Sequence, residues 1–127
     1  MRLLVVDDCS EFCELIQEFS ELCSHQFGIR CEVVDSGQAA IAKIASWIPE
    51  LVLVDAHLLE GSTLELRRLC REGQAPVVVT SDQMSLEIQS SATNWGAAGY
   101  LPKSLDPDEM ELFLKRLSEY ARTQSNV

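Results

Sequence analysis

Several polar side chains stand at the ends of short apolar runs, where they could act together. Asp7 and Asp8 follow the first run, Asp55 follows the third, Thr80 follows the fourth, and Lys103 stands two positions after the fifth. Converging carboxylates repel one another, by about 4 kcal/mol for a pair about 4 Å apart at an effective dielectric constant of about 20. A divalent cation relieves this repulsion, and Mg²⁺ prefers oxygen ligands. A carboxylate beside Mg²⁺ can attack a phosphoryl group to give an aspartyl phosphate, while a lysine and a hydroxyl bind the phosphoryl oxygens.

The runs themselves have the composition of buried parallel strands. They cover residues 3–6, 31–34, 51–54 and 77–79, with a weaker fifth run at 99–101. Nearly continuous apolar segments rich in β-branched residues are typical of strands that are covered on both faces. We therefore expect the polar residues that follow them to lie at strand ends.

Helical periodicity separates the runs and predicts amphipathic helices that pack on the sheet. The predicted helices begin near residue 12 and end before Gly28, cover about 37–48, 62–72 and 85–95, and begin again at Asp106-Pro107. The fourth helix has a thin apolar set, and we expect it to be the least firmly held. The apolar positions expected to face the sheet are Phe12, Leu15, Ile16, Phe19, Leu22, Cys23, Leu64, Leu66, Leu69, Leu86, Ile88, Ala92, Trp95, Met110, Leu112, Phe113 and Leu117.

The alternation predicts one α/β domain over residues 1–122, followed by a disordered tail over 123–127. Five strand-helix units with short connections favour a five-stranded parallel sheet with helices on both faces. The expected fold is the flavodoxin-like doubly wound sandwich with strand order 2-1-3-4-5. In that order the first and third strands are neighbours, so Asp7, Asp8 and Asp55 converge on one crevice at the carboxyl edge of the sheet.

Composition and charge argue against several function classes. Twenty acidic and ten basic residues give a formal net charge of −10, which disfavours direct contact with nucleic acid or an anionic membrane. No apolar run is long enough to cross a bilayer and no signal sequence opens the chain, so we expect a cytoplasmic protein. The sequence contains no GxGxxG or P-loop motif, which argues against nucleotide or flavin binding.

The five cysteines are Cys9, Cys13, Cys23, Cys31 and Cys70. Their odd number and the lack of a CxxC pair favour small buried hydrophobic side chains over a metal or redox role. Cys9 and Cys13 stand four residues apart and could share one helical face.

Four segments together resemble the response-regulator receiver family over essentially the whole chain. They are VVDD at 5–8, LVDAHL at 53–58, VVTS at 78–81 and GAAGYLPK at 96–103. The resemblance implies a phosphoacceptor signalling switch of a two-component system. A histidine kinase or histidine phosphotransfer protein would phosphorylate Asp55, and the chain would catalyse only its own phosphorylation and dephosphorylation.

The same resemblance implies a Mg²⁺ site. Asp8 would bind Mg²⁺ directly, Asp7 would act largely through water, and Asp55 with the backbone carbonyl of His57 would complete the protein ligands.

A switch is implied as well. Thr80 and Lys103 would bind the phosphoryl oxygens, and Tyr100 would be the aromatic residue whose rotamer follows phosphorylation. Tyr100 would turn inward and change the surface of the fourth helix, fifth strand and fifth helix, which a downstream effector or output domain then reads.

Three positions depart from the family pattern. Proline and glycine usually stand four and eight residues after the phosphoacceptor, where this chain has Leu59 and Thr63. The family's Lys-Pro bond is replaced by Lys103-Ser104, which we predict to be trans because a cis bond before a residue other than proline costs about 2.5–4 kcal/mol. These departures keep open a pseudo-receiver, an interaction module that is not phosphorylated.

His57 and Asp82 stand two residues after Asp55 and Thr80. In the family such side chains flank the phosphoryl pocket, so one hypothesis is that they tune phosphoryl lifetime by controlling attacking water. The alternative is an ordinary exposed histidine and aspartate. His57 also argues against a Mg²⁺-dependent phosphohydrolase, which commonly has a second aspartate at this place.

A tail without linker composition favours a stand-alone receiver over one cut from a longer regulator, and both remain open.

Overall fold

The computed structural model describes residues 1–59, 64–72, 75–83 and 85–125 of the 127-residue chain. The strands are β1 (Arg2–Val6), β2 (Arg30–Val34), β3 (Leu51–Asp55), β4 (Val77–Ser81) and β5 (Gly99–Pro102). The main helices are α1 (Ser10–Leu22), α2 (Gly37–Trp47), α3 (Leu64–Glu72), α4 (Leu86–Trp95) and α5 (Pro107–Ser125). A single helical turn over Ser24–Phe27 follows α1, and a 3₁₀ turn over Ala56–Leu59 follows β3.

The predicted fold and strand order are confirmed. The sheet has the order β2-β1-β3-β4-β5, and every neighbouring pair is parallel. Val6 is the register partner of Val54, and Asp55 is the partner of Thr80. Because the strands are parallel, their carboxyl ends meet at one edge of the sheet, where the polar residues that follow β1, β3 and β4 must lie.

Two apolar layers cover the sheet, since alternate residues of a strand point to opposite faces. Leu3 and Val5 pack with buried residues of α1 and α5, whereas Leu4 and Val6 pack with those of α2, α3 and α4. The four residues are fully buried, which explains why the first run in the sequence is continuous rather than alternating.

Local signals mark several helix boundaries, but the first predicted helix ends at Leu22 and not just before Gly28. Asp106 caps α5 by accepting a hydrogen bond from the Asp108 N–H at 3.0 Å. Gly28, with φ of 63°, ends the turn that follows α1. The residue after α2 is Ile48, which has φ of 54° and precedes Pro49.

Four of the predicted sheet-facing positions are wrong. The exposed fractions are 68% for Leu22, 79% for Leu64, 81% for Leu86 and 51% for Leu112. Leu22 is the last residue of its helix and Leu86 is the first of its own, positions at which a helix can extend past the sheet, and Leu64 is the first described residue of α3. Leu112 is two residues from buried Met110, about 200° around the helix.

The cysteines and the chain end differ partly from expectation. Cys13 and Cys70 are buried, and burial raises the pKa of each thiol to about 12, so they behave as apolar side chains. Cys9, Cys23 and Cys31 are only half-buried.

Helix α5 runs to Ser125, so residues 123–125 of the expected tail are helical, and 126–127 lie outside the described residues. Within the described part, no helix is long and apolar enough to cross a membrane.

Candidate functional site

Three carboxylates meet at the carboxyl edge of the sheet. Asp7 follows β1 directly, Asp8 comes next, and Asp55 is the last residue of β3. One carboxylate oxygen from each lies within 4.8 Å of the others. Asp7 and Asp55 are buried and Asp8 is exposed, so the cluster opens to solvent on the Asp8 side.

Lys103 brings a positive charge into this cluster. Its Nζ lies 2.7 Å from Asp7 Oδ2 and donates to Asp55 Oδ2 at 2.9 Å, and its side chain is only 8% exposed. The backbone N–H of Lys103 donates to the Ser81 carbonyl at 2.8 Å. This bond holds the residue beside the end of β4, although β5 has already ended.

Backbone donors hold the other oxygens of the two buried carboxylates. The Cys9 N–H donates to Asp7 Oδ1 at 2.8 Å, and the His57 N–H donates to Asp55 Oδ1 at 3.0 Å. Each donor lies two residues after its acceptor, a local turn in which aspartate is favoured. The side chains are thus fixed before any ligand binds.

Burial and pairing oppose each other in setting the charges. For Asp7, burial is the largest influence and raises the pKa of the carboxyl, despite the bonds from Lys103 and the Cys9 N–H. For Asp55, burial alone would raise the pKa, but hydrogen bonds from Lys103 and the His57 N–H, with the attraction of the ammonium, lower it. The pKa of Lys103 is raised because the two carboxylates outweigh burial. Asp55 is therefore an ionised carboxylate at neutral pH.

Thr80 supplies a hydroxyl without a partner next to Asp55 in the sheet. The residue is fully buried on β4, and its Oγ1 has no hydrogen-bond partner among the described residues. A buried hydroxyl without a partner is unfavourable by about 1–3 kcal/mol. Thr80 is therefore well suited to bind an added oxygen at this edge of the sheet.

The remaining predicted site residues lie outside the buried cluster. The side chains of His57 and Asp82 are exposed, and Tyr100 on β5 is 38% exposed, so its ring has not turned inward. The Lys103-Ser104 peptide bond is trans, as predicted. Leu59 ends the 3₁₀ turn, whereas Thr63 lies outside the described residues.

Sequence reasoning missed one neighbour of the site. The centroid of the Phe12 ring lies 5.0 Å from Lys103 Nζ. Phe12 was expected only as a core residue of α1. Its position four residues after Asp8, one turn from the acidic pair, was the available signal.

Replacing Lys103 by methionine is expected to lower the free energy of unfolding by about 3 kcal/mol at about pH 7 in Mg²⁺-free buffer, because two buried carboxylates lose their shared cation. The loss should shrink on acidification. Without the ammonium, the folded-state pKa values of Asp7 and Asp55 rise above the unfolded ones, so the folded state takes up protons and gains stability as the pH falls. Urea unfolding across the acidic range measures both effects.

The control is Lys43→Met. Lys43 pairs with Glu32 at 3.4 Å on the surface, so its loss should cost less than about 1 kcal/mol. Equal losses in the two variants, or a Lys103→Met loss that does not change with pH, would contradict the electrostatic account.

Known proteins are similar to this chain in sequence. The model of the response regulator receiver domain matches residues 3–115. The DNA-binding transcriptional regulator NtrC of Salmonella typhimurium is 30% identical over 100 residues, which are 76% of this chain and 21% of NtrC. The transcriptional regulatory protein TrcR of Mycobacterium tuberculosis is 28% identical over 129 residues, covering 100% of this chain and 48% of that protein. The chain thus spans about a fifth to a half of these relatives.

Solved structures agree on the fold. The BeF3-activated N-terminal receiver domain of Klebsiella pneumoniae RstA has a TM-score of 0.76 and 27% identity, covering 96% of this chain and 99% of that one. A two-component response regulator from Clostridium difficile has a TM-score of 0.78 and 21% identity, with 96% of both chains covered. On this evidence, the chain belongs to the response regulator receiver domain family.

Proposed function

We propose that the chain is a phosphorylation switch whose phosphoacceptor is Asp55. The observation that carries the proposal is the state of this carboxylate. It is buried, it lies beside Asp7 and Asp8, and hydrogen bonds from the Lys103 ammonium and the His57 N–H hold it in place. A nucleophile needs its charge and a fixed direction, and the two hydrogen bonds supply the direction.

The charge balance of the cluster supports a divalent cation. Three carboxylates face one ammonium, which leaves about two negative charges in the fully ionised cluster. Oxygen donors of this kind suit Mg²⁺. Asp8 and Asp55 would hold the ion together with the His57 backbone carbonyl, and Asp7 would act largely through water. When bound, Mg²⁺ supplies charge neutralisation for the phosphoryl oxygens.

The transfer step needs little beyond this arrangement. A carboxylate oxygen of Asp55 forms a bond to phosphorus as the bond between phosphorus and the donor's leaving atom breaks, and the leaving group keeps that electron pair. Lys103 exchanges its bond to the Asp55 carboxylate for one to a phosphoryl oxygen. The Thr80 hydroxyl donates to another oxygen. The donor would be a histidine kinase or a histidine phosphotransfer protein.

With Mg²⁺ and acetyl phosphate as donor, intact mass should show one added phosphoryl group on the wild-type chain and none on Asp55→Asn, since an amide is a poor nucleophile. The matched control is Asp35→Asn. Asp35 directly follows β2 at the same edge, but it is exposed and lies outside the three-carboxylate cluster. It should leave the added mass unchanged. A wild-type chain that stays unmodified at saturating Mg²⁺ would instead support the pseudo-receiver, an interaction module without phosphorylation.

Mg²⁺ should also stabilise the fold, because an ion that binds only the folded chain raises its unfolding free energy, by about 2.7 kcal/mol at about one hundred times the dissociation constant. Asp8→Asn should weaken this response at least about tenfold in Mg²⁺ concentration, since it removes a proposed direct ligand. Thermal unfolding across a Mg²⁺ titration measures the shift. Asp35→Asn should respond as the wild type does, and a similar weakening in both variants would indicate nonspecific screening.

The proposed output surface is formed by α4, β5 and α5. Helix α4 is thinly anchored, with only Ala92 and Trp95 buried. Once phosphorylated, Asp55 would draw Thr80 toward the new oxygens, and Tyr100 would turn inward beside it. A helix with few core contacts is suited to such a shift because its alternative positions are close in energy. A downstream effector or output domain would read the change.

His57 and Asp82 are proposed to set the phosphoryl lifetime. Both side chains are exposed, and each comes two residues after a residue of the phosphoryl pocket. If they control the attacking water, His57→Ala and Asp82→Ala should each change the dephosphorylation rate constant severalfold, because removing a side chain alters water access to the phosphorus. Decay of the phosphorylated mass gives the rates. Rates equal to the wild type would leave both as ordinary surface residues.

The relatives extend the proposal to partners. NtrC and TrcR are named as regulators of transcription and are longer than this chain. A receiver of this type would serve an output domain or a separate effector, with no direct contact between this domain and nucleic acid or membrane. A cytoplasmic location, expected from the sequence, belongs to the same proposal.

A further inference from the structure

The ammonium of Lys103 lies against an aromatic ring as well as between two carboxylates. Nζ is 5.0 Å from the centroid of Phe12, within the range of a cation–π interaction. Phe12 is fully buried, and the Lys103 side chain is 8% exposed. An aromatic face attracts a cation more strongly where water is excluded.

A second ring holds the first in place. Phe113 of α5 meets Phe12 edge to face, with centroids 5.8 Å apart and ring planes at 88°. This arrangement is favoured for aromatic pairs. Phe12 belongs to α1, so the ring that Lys103 contacts is fixed by two helices of the same layer.

Apart from the ring, three contacts fix the position of Lys103: one backbone hydrogen bond and two ion pairs. Residues 103–106 have no regular secondary structure, and Ser104 stands where the family usually has proline. The known anchors are the bond from its N–H to the Ser81 carbonyl and the pairs with Asp7 and Asp55. The pair with Asp55 must change when a phosphoryl group is added there. Neither Asp7 nor the ring of Phe12 would receive the phosphoryl group, so these two contacts could remain.

We propose that Phe12 is a positioning residue for phosphoryl transfer: its ring holds the Lys103 ammonium where it can bind an oxygen of the phosphoryl group on Asp55. This inference rests on the proposed function. The ring itself touches no reacting atom and acts through the lysine.

Two leucine variants separate positioning from packing. Phe12→Leu and Phe113→Leu both remove a buried ring and both destroy the same aromatic pair, so both should reduce thermal stability. Only Phe12→Leu removes the ring under Lys103. With saturating Mg²⁺ and acetyl phosphate, we expect the phosphorylation rate constant to fall about fivefold for Phe12→Leu and to change less than about twofold for Phe113→Leu. Equal reductions in the two variants would overturn the inference.

Fluorination tests the ring's electrostatics without removing its shape. Phenylalanine analogues with increasing numbers of ring fluorines have a progressively less negative face. Placed at position 12, they should lower the phosphorylation rate in graded steps, and at position 113 they should show no trend. This series remains informative if Phe12→Leu does not fold. A flat response at position 12 would show that the ring contributes packing alone.

Lys103→Met supplies a readout that is independent of phosphorylation. If the contact is real, Phe12→Leu should reduce the stability of the Lys103→Met chain less than it reduces that of the wild type. Equal reductions would overturn the contact itself. A wild-type chain that shows this coupling but accepts no phosphoryl group would overturn the proposed function, and the positioning role with it, while retaining the cation–π pair.

Discussion

The structure depends on one electrostatic constraint: three carboxylates share a partly buried site with a single ammonium. One oxygen of each carboxylate lies within 4.8 Å of the others, so each ionised pair repels by at least about 3 kcal/mol at an effective dielectric constant of about 20. Lys103 reaches Asp7 and Asp55 together, whereas Asp8 faces solvent. The folded chain therefore tolerates the cluster without a metal, but it retains an excess of negative charge. In the proposed function a divalent cation would balance this excess, and the cation would then favour binding of a phosphoryl group.

The parallel pairing of the strands brings these charged side chains together. Parallel pairing of β1 with β3 sets Asp7 and Asp55 at neighbouring strand ends, and pairing of β3 with β4 sets Thr80 beside Asp55. Both faces of the central strands β1, β3 and β4 are covered by apolar layers, so the carboxyl edge is where polar side chains can collect without disrupting the core. The same burial that stabilises the fold also removes water from Asp7 and Asp55, and it thereby strengthens their dependence on Lys103.

Much of this architecture could be predicted because it rests on local signals. Continuous β-branched runs indicated buried strands, and Asp106-Pro107 marked the start of α5. The convergence of Asp7, Asp8 and Asp55 followed once the strand order was assumed. Periodicity failed at helix ends, as at Leu86, because the spacing of apolar residues does not indicate where a helix extends past the sheet. The Phe12 contact was missed for another reason: it joins α1 to a loop 91 positions away, and the one local signal, the spacing of Phe12 from Asp8, does not identify Lys103 as the partner.

If Asp55 is phosphorylated as proposed, the contrast between a rigid site and a weakly held helix would determine which part of the domain moves. Asp55 is fixed by hydrogen bonds from two elements, whereas α4 is fixed by Ala92 and Trp95 and by an Arg67 hydrogen bond to the Asn94 carbonyl at its end. A new charge on Asp55 would meet greater resistance from the sheet than from α4. Thr80 lies next to Asp55 in the sheet, and its hydroxyl has no hydrogen-bond partner among the described residues. Movement that begins at this hydroxyl would therefore be taken up at the α4 surface, because that is where the least free energy opposes it.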